Sequence, residues 1–218
     1  MNTSHRICTV KLRPKQTKND IEGVFITRHP NPDKINPELE SVIRDFGDEQ
    51  NRTSNLICDM TRYEMHQFSP AFEKFGEWVN EIVCHLTDVD QVHMQNIWGA
   101  IYRKGEYALN HNHLFEDIND FPLASFCYMV NVTDECSPLV FPNVEMPWLP
   151  PRQIIYPGNG ILAIWHPKHQ HYVPPQYSDH ERVVISGNVV DYDFPNKIPT
   201  YSQVNSNATE RNTENQSE

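Results

Sequence analysis

From residue 91 onward the sequence changes texture, and that change limits the fold more than any other feature. The segments QVHMQNIWGAIYRKG, FPLASFCYMVNV, SPLVF, RQIIYPG, GILAIW, HQHYVPP and ERVVISGNVVDYDF are short and rich in β-branched or aromatic residues. Pro, Gly, Asn and Asp punctuate them, which is the pattern of strands separated by turns. Pro157-Gly158-Asn159-Gly160 predicts a tight turn joining two antiparallel strands. Seven or eight strands within about 100 residues imply an antiparallel sandwich or a jelly-roll barrel.

Two helices precede the strands. In INPELESVIRDF, Asn36 is a capping residue and Pro37 suits the first helical position. Leu39, Val42, Ile43 and Phe46 then repeat at helical spacing. In FSPAFEKFGEWVNEIVCHL, Ser69 and Pro70 open the helix, and Phe72, Phe75, Val79, Ile82 and Leu86 form its apolar stripe. Both stripes read as packing surface, which would lay the helices against one outer face of the β structure. The expected fold is mainly β with N-terminal helices: a barrel spanning about 90 to 195, supported by two or three helices, within a single domain of residues 1–201. Ile7 to Leu12 alternates weakly and reads as an edge strand. The polar stretch 202–218 has too little apolar surface to offset the entropy of ordering and is expected to be a disordered tail.

Composition bears on compartment and partners. A chain of 218 residues that is 38% hydrophobic suits one domain with a real core. No apolar run approaches the roughly 18 to 20 residues of a membrane span. The N-terminal MNTSHRICTVKLRPK lacks the apolar region of a secretory signal, so the cytoplasm is the expected location. Five scattered cysteines without a C-x-x-C pair argue against a structural zinc knuckle and fit reduced thiols. With 29 acidic against 18 basic residues, the chain lacks the basic balance of a nucleic-acid binder.

Three elements carry chemistry. Asn110-His111-Asn112-His113 holds an H-x-H pair after an apolar hairpin-like run. On an extended strand, residues two apart share a face and can converge on one metal. Two exposed histidines near a turn would look the same. A second histidine group, His166, His169 and His171, follows the strand GILAIW. His171 opens the next strand and is the better ligand candidate; His166 and His169 sit in the turn beside Pro167. Finally, Arg182, Val184, Ser186 and Asn188 share one face of a strand, while Val183, Ile185 and Val189 share the other. An inward Arg marks a carboxylate or phosphate, because its planar fork binds either in bidentate fashion. An edge-strand Arg paired with a surface acid is the alternative.

The order H-x-H, a distant His, then an Arg eleven residues later resembles the Fe(II)/2-oxoglutarate-dependent oxygenases. More narrowly, it is similar to the 2-oxoglutarate/iron oxygenases found in marine phages and bacteria, which show H-x-H at the first position. Asn96, Gly105-Glu106-Tyr107, His111-Asn112-His113, Tyr128, Pro157-Gly158, His171-Tyr172-Val173-Pro174 and Arg182 through Asn188 carry the likeness, over about residues 50 to 190. Departures fall at the mouth: Trp165-His166-Pro167-Lys168 replaces F-P-S-W, Ala124-Ser125 replaces a Gly, and the loop 141–152 is Pro-rich.

The resemblance implies a double-stranded β-helix (jelly-roll) with Fe(II) at one end, held by His111, His113 and His171. His113 stands where the commoner pattern has Asp or Glu, and Asp117 or Glu116 from the following loop is the competing ligand. Arg182 would pair with the distal carboxylate of 2-oxoglutarate, with Tyr102, Tyr128, Ser186 and Asn188 as further cosubstrate contacts. The implied reaction consumes O2 and 2-oxoglutarate, releases succinate and CO2, and hydroxylates an unidentified small molecule or peptide, in the host cytoplasm if a phage encodes the chain. Two other classes stay open. A cupin-like metal enzyme would share H-x-H and the barrel but have no use for Arg182. A non-catalytic jelly-roll binding module would treat the histidines as ordinary surface residues.

Overall fold

The computed structural model describes residues 21, 23–48, 53, 55–114 and 122–192, which form two antiparallel sheets and three helices. The large sheet runs β1 (Val24–Arg28), β9 (Ile161–Trp165), β6 (Ala124–Asn131), β11 (Arg182–Asp191), β4 (Val92–Tyr102) and β3 (Asp59–Met60). The small sheet runs β2 (Leu56–Ile57), β5 (Tyr107–His111), β10 (His171–Val173), β7 (Leu139–Phe141) and β8 (Gln153–Ile155). From β4 onward the chain crosses between the sheets at every connection except β7 to β8, which pair directly. Eight strands follow residue 91, as the punctuation predicts. Among the described residues no ladder joins the two sheets, so they face each other without closing into a barrel. The edge-strand reading of Ile7 to Leu12 and the 202–218 tail lie outside the described residues.

The turn at Pro157–Gly160 corrects one expectation. It does not close a hairpin: β8 pairs with β7, while β9 pairs with β6 and β1. The turn, with Gly160 at φ +81°, carries the chain from the small sheet to the large one. A tight turn between two strands fixes a reversal and says nothing about which partner each strand takes.

Two apolar layers hold the domain together. Along β6 and β11, Phe126, Tyr128, Val130, Val183, Ile185 and Val189 face the helices. Cys127, Met129 and Val184 face the small sheet and meet Ala108, Leu139, Phe141 and Val173. This period-2 split is what a sheet buried on both faces requires. Helix α3 (Pro70–Thr87) begins as expected, Ser69 Oγ accepting from the Phe72 amide, and buries Phe72, Phe75, Val79 and Val83. Helix α1 (Pro32–Phe46) begins one motif earlier than expected. Asn31-Pro32 forms its start, and the equivalent Asn36-Pro37 lies inside the helix. Asn36 is drawn inward because its Nδ2 donates to the Val130 carbonyl at 2.6 Å and its Oδ1 accepts from the Tyr128 hydroxyl at 2.7 Å. Phe46 sits at the end of the stripe and is exposed. Gly99 lets α1 settle on β4, since a Cβ there would fall 2.4 Å from the Ile43 side chain. A four-residue helix, α2 (Met65–Phe68), precedes α3.

Candidate metal centre

The site lies between the sheets, at the end of β5 and the start of β10. Antiparallel pairing sets His171 directly opposite His111. His113 is past the end of β5, and its amide donates to the Pro167 carbonyl at 3.0 Å. The H-x-H pair therefore does not sit wholly on a strand: one histidine ends it, and the loop after β9 holds the other. Candidate ligand atoms of His111, His113 and His171 all lie within 4.8 Å of one another. Nitrogens bound to one ion at about 2.1 Å can be at most about 4.2 Å apart, so small ring rotations suffice to bring the three onto a metal.

Hydrogen bonds set the tautomer of each ring. His111 Nδ1 meets the Leu109 carbonyl at 2.7 Å, and His171 Nδ1 meets the His169 carbonyl at 3.0 Å. A carbonyl only accepts, so both Nδ1 atoms carry the proton and both Nε2 lone pairs are free. His113 Nδ1 lies 2.7 Å from Asn188 Oδ1, whose amide nitrogen donates to Asn96 Oδ1 at 2.8 Å. Ser125 Oγ donates to the same Asn188 oxygen. The arrangement is the outer-shell support that metal-binding imidazoles need. Burial favours the neutral rings: desolvation lowers the His113 pKa to about 4, His171 well below its ordinary value, and His111 to a lesser degree.

Arg182 lines the same narrow cleft as the three histidines. The residue is 1% exposed. Its Nε donates to the Ser137 carbonyl at 3.1 Å, while Nη1 and Nη2 are buried without a partner. Its guanidinium also lies 5.1 Å from the centre of the Tyr102 ring. Burial raises the Tyr102 hydroxyl well above its ordinary pKa, against the pull of Arg182. A guanidinium does not surrender its proton in proteins, so these two buried donors stand without the acceptor that a buried charge ordinarily has.

Of the further residues singled out from sequence, Tyr102 and Ser186 line this cleft with Arg182. Asn188 reaches it through His113. The structure does not bring Tyr128 there. Its position in β6 shares the face of Phe126 and Val130, so its hydroxyl points to α1 and Asn36. Asp117 and Glu116 lie outside the described residues. His166 and His169 stay out of the triad, although the His169 carbonyl orients His171. Sequence reasoning missed Trp165, which lines the cleft with an unpartnered, buried Nε1. Its place as the last residue of GILAIW, just before the histidine loop, was the available signal.

No protein-family model and no curated protein matches this sequence. Solved structures do resemble it. The prolyl-4-hydroxylase of Pseudomonas putida aligns at TM-score 0.61 and 14% identity, over 78% of this chain and 94% of that one. The viral collagen prolyl hydroxylase of Paramecium Bursaria Chlorella virus-1, in its 2-oxoglutarate complex, gives 0.61 and 14%, over 77% and 96%. The α-ketoglutarate-dependent carbocyclase SnoK of nogalamycin biosynthesis gives 0.64 and 11%, over 78% and 80%. With three imidazoles gathered between its sheets, this chain has the fold of the 2-oxoglutarate/Fe(II) oxygenases.

Proposed function

We propose that the chain is a non-haem iron oxygenase that couples oxidative decarboxylation of 2-oxoglutarate to hydroxylation of a second substrate. The observation that carries this reading is the pair of buried, partnerless Arg182 nitrogens in the cleft that also holds the three-histidine cluster. A keto acid with a second carboxylate at its far end matches both requirements. The similar epimerase SnoN has been solved with Fe3+ and α-ketoglutarate, which supports the same cofactor pair here. The strand order, with the chain passing between sheets at nearly every connection, supports a double-stranded β-helix.

His111, His113 and His171 would hold the iron through Nε2, leaving coordination sites for the keto acid and O2. When bound, the iron and keto acid supply O2-dependent chemistry that yields succinate, CO2 and a hydroxylated product. The chain's own part is placement. Asn188 and the carbonyls of Leu109 and His169 keep the imidazoles in the ligating tautomer. Arg182 fixes the distal carboxylate, with Tyr102, Ser186 and the Trp165 N–H as neighbouring donors. Trp98, Trp165 and Leu139 wall the cleft against water. His113 is the second ligand in this reading, and Asp117→Ala would spare metal binding. A cupin-like enzyme without a keto acid would leave Arg182 as an uncompensated buried charge, and that cost disfavours it.

The test is stoichiometric conversion of 2-oxoglutarate to succinate with Fe(II) and O2. Wild type should turn over slowly even without its substrate, and His113→Ala should not. Iron binding with no succinate formed under any condition would move the protein to the cupin class.

A further inference from the structure

Beyond His111 and His113 the site opens into a second, wider cleft of about 890 Å3 including its mouth, and its walls describe what could enter. Among the described residues, Glu64 is the only charged side chain lining it, and no cation does. The Glu64 carboxylate makes no hydrogen bond or ion pair to any described residue. It stands beside Tyr63, whose ring meets Trp98 edge to face at 5.0 Å. Four carboxamides, those of Asn55, Asn96, Asn112 and Asn188, complete the described wall, and each oxygen already has at least one hydrogen-bond partner. Asn55 Oδ1 accepts from Thr53, Asn96 Oδ1 from Asn188, and Asn112 Oδ1 from the Leu114 amide. What the described wall offers a ligand is polar carboxamide groups, the Tyr63–Trp98 ring pair and one carboxylate.

We infer that this cleft takes a substrate bearing a protonated amine, with Glu64 as the residue that selects it. An ammonium is attracted both by the carboxylate and by the electron-rich faces of Tyr63 and Trp98. The carboxamide N–H groups suit carbonyl or hydroxyl oxygens on the rest of the molecule. Among the described residues, no cationic side chain lines the cleft to offset Glu64 against an anionic substrate, which is selection by repulsion as well as attraction. Selectivity for charge is thus divided across the metal: Arg182 receives an anion on one side, and Glu64 receives a cation on the other. This deepens the oxygenase reading, since it names the substrate class for the same site.

The experiment uses the full chain loaded with Fe(II) and 2-oxoglutarate under anaerobic conditions. The probes are 1,5-diaminopentane beside its N,N′-diacetyl form, and N-acetyl-Gly-Lys-Gly beside the same peptide acetylated on the lysine Nε as well, followed by saturation-transfer NMR and calorimetry. The amines should bind, and acetylation should weaken them by about tenfold or more, the scale of one charge-assisted hydrogen bond. Glu64→Gln should remove that preference with an unchanged melting temperature, and Glu64→Lys should reverse it towards a carboxylate probe. Whether the free diamine or the peptide binds better separates a small-molecule source of the amine from a lysyl side chain. Equal binding of amine and acetylated probe, no binding of either, or an unaltered preference in Glu64→Gln overturns the inference. Iron and 2-oxoglutarate binding are measured on the same samples. Their absence would count against the oxygenase reading, whereas their presence without amine preference counts only against Glu64.

Discussion

The two faces of the large sheet are built from alternate residues of the same strands, yet they treat polar groups in opposite ways. On the helix side, Tyr128 and Asn36 satisfy each other, and Asn36 also caps the Val130 carbonyl, deep among apolar side chains. On the inner side, one residue along in β11, Arg182 is buried with two donors unmet, and three imidazoles keep their Nε2 lone pairs unused. A polar group that closes on itself strengthens packing. One left open at a cost to stability calls for an explanation, and a ligand is the one that fits a cleft. The contrast supports the inner face as the working one, on grounds separate from the resemblance to solved structures.

That contrast can be broken most forcefully at the histidines. His171→Ala should weaken metal binding by more than about a hundredfold, beyond what loss of an outer-shell partner costs. His169→Ala should leave it nearly intact, because its contribution is a backbone carbonyl. Metal content after dialysis distinguishes the two, and equal loss in both variants would dissolve the triad.

Arg182 comes next. In Arg182→Met the demand for 2-oxoglutarate should rise by about 2 to 5 kcal/mol of lost binding, the range for truncated buried charge pairs. The same variant should be no less stable than wild type without ligand, since an unpaired buried charge is replaced by an apolar chain. Calorimetric titration and urea melts read the two effects separately. A large loss of stability would mean that Arg182 serves the fold.

The helix side also has open groups among the described residues, Asn80 Oδ1 in α3 and both ring nitrogens of His66, and the histidine titrates. His66 in α2 is 1% exposed with neither ring nitrogen paired, and desolvation lowers its pKa to about 4. Its unfolded value is about 6.5, so between those two limits the unfolded chain binds the proton and the folded one does not. Stability should therefore be full above about pH 6.5 and fall by up to about 3 kcal/mol as pH drops towards 4. Replacing His66 with Leu should make that part of the metal-free pH–stability curve shallower, the remaining slope coming from His111, His113 and His171, while metal binding at neutral pH stays unchanged. The smallest effect is expected at Tyr128→Phe, which strands the Asn36 oxygen for about 1 to 2 kcal/mol of stability and leaves 2-oxoglutarate binding as it was.

Much of this was legible in the sequence, for reasons that differ by element. The alternation in β11 separates Arg182, Ser186 and Asn188 from Val183, Ile185 and Val189 because a strand has only two faces. The histidines were legible through spacing and their place at strand ends. Tyr128 was misplaced because a motif position does not carry a face. Only the register of β6 against β11, which sets Tyr128 opposite helix-facing Ile185, decides it. The start of α1 was misread since Asn-Pro occurs twice, and a tertiary partner, Val130, took the second Asn into the core. Strand β1, at the edge of the large sheet, has its identity only through pairing with β9. The role of Asn188 beside His113 also depends on contacts across 75 residues of chain, which no local pattern records.

The most direct measurement of the central claim is an anaerobic titration of the protein with Fe(II) and then 2-oxoglutarate, followed in the visible region. The account predicts one iron per chain and a weak charge-transfer band that grows with the keto acid, saturates at one equivalent, and needs far more 2-oxoglutarate in Arg182→Met. Iron bound by the three histidines with no band at any 2-oxoglutarate concentration would contradict it.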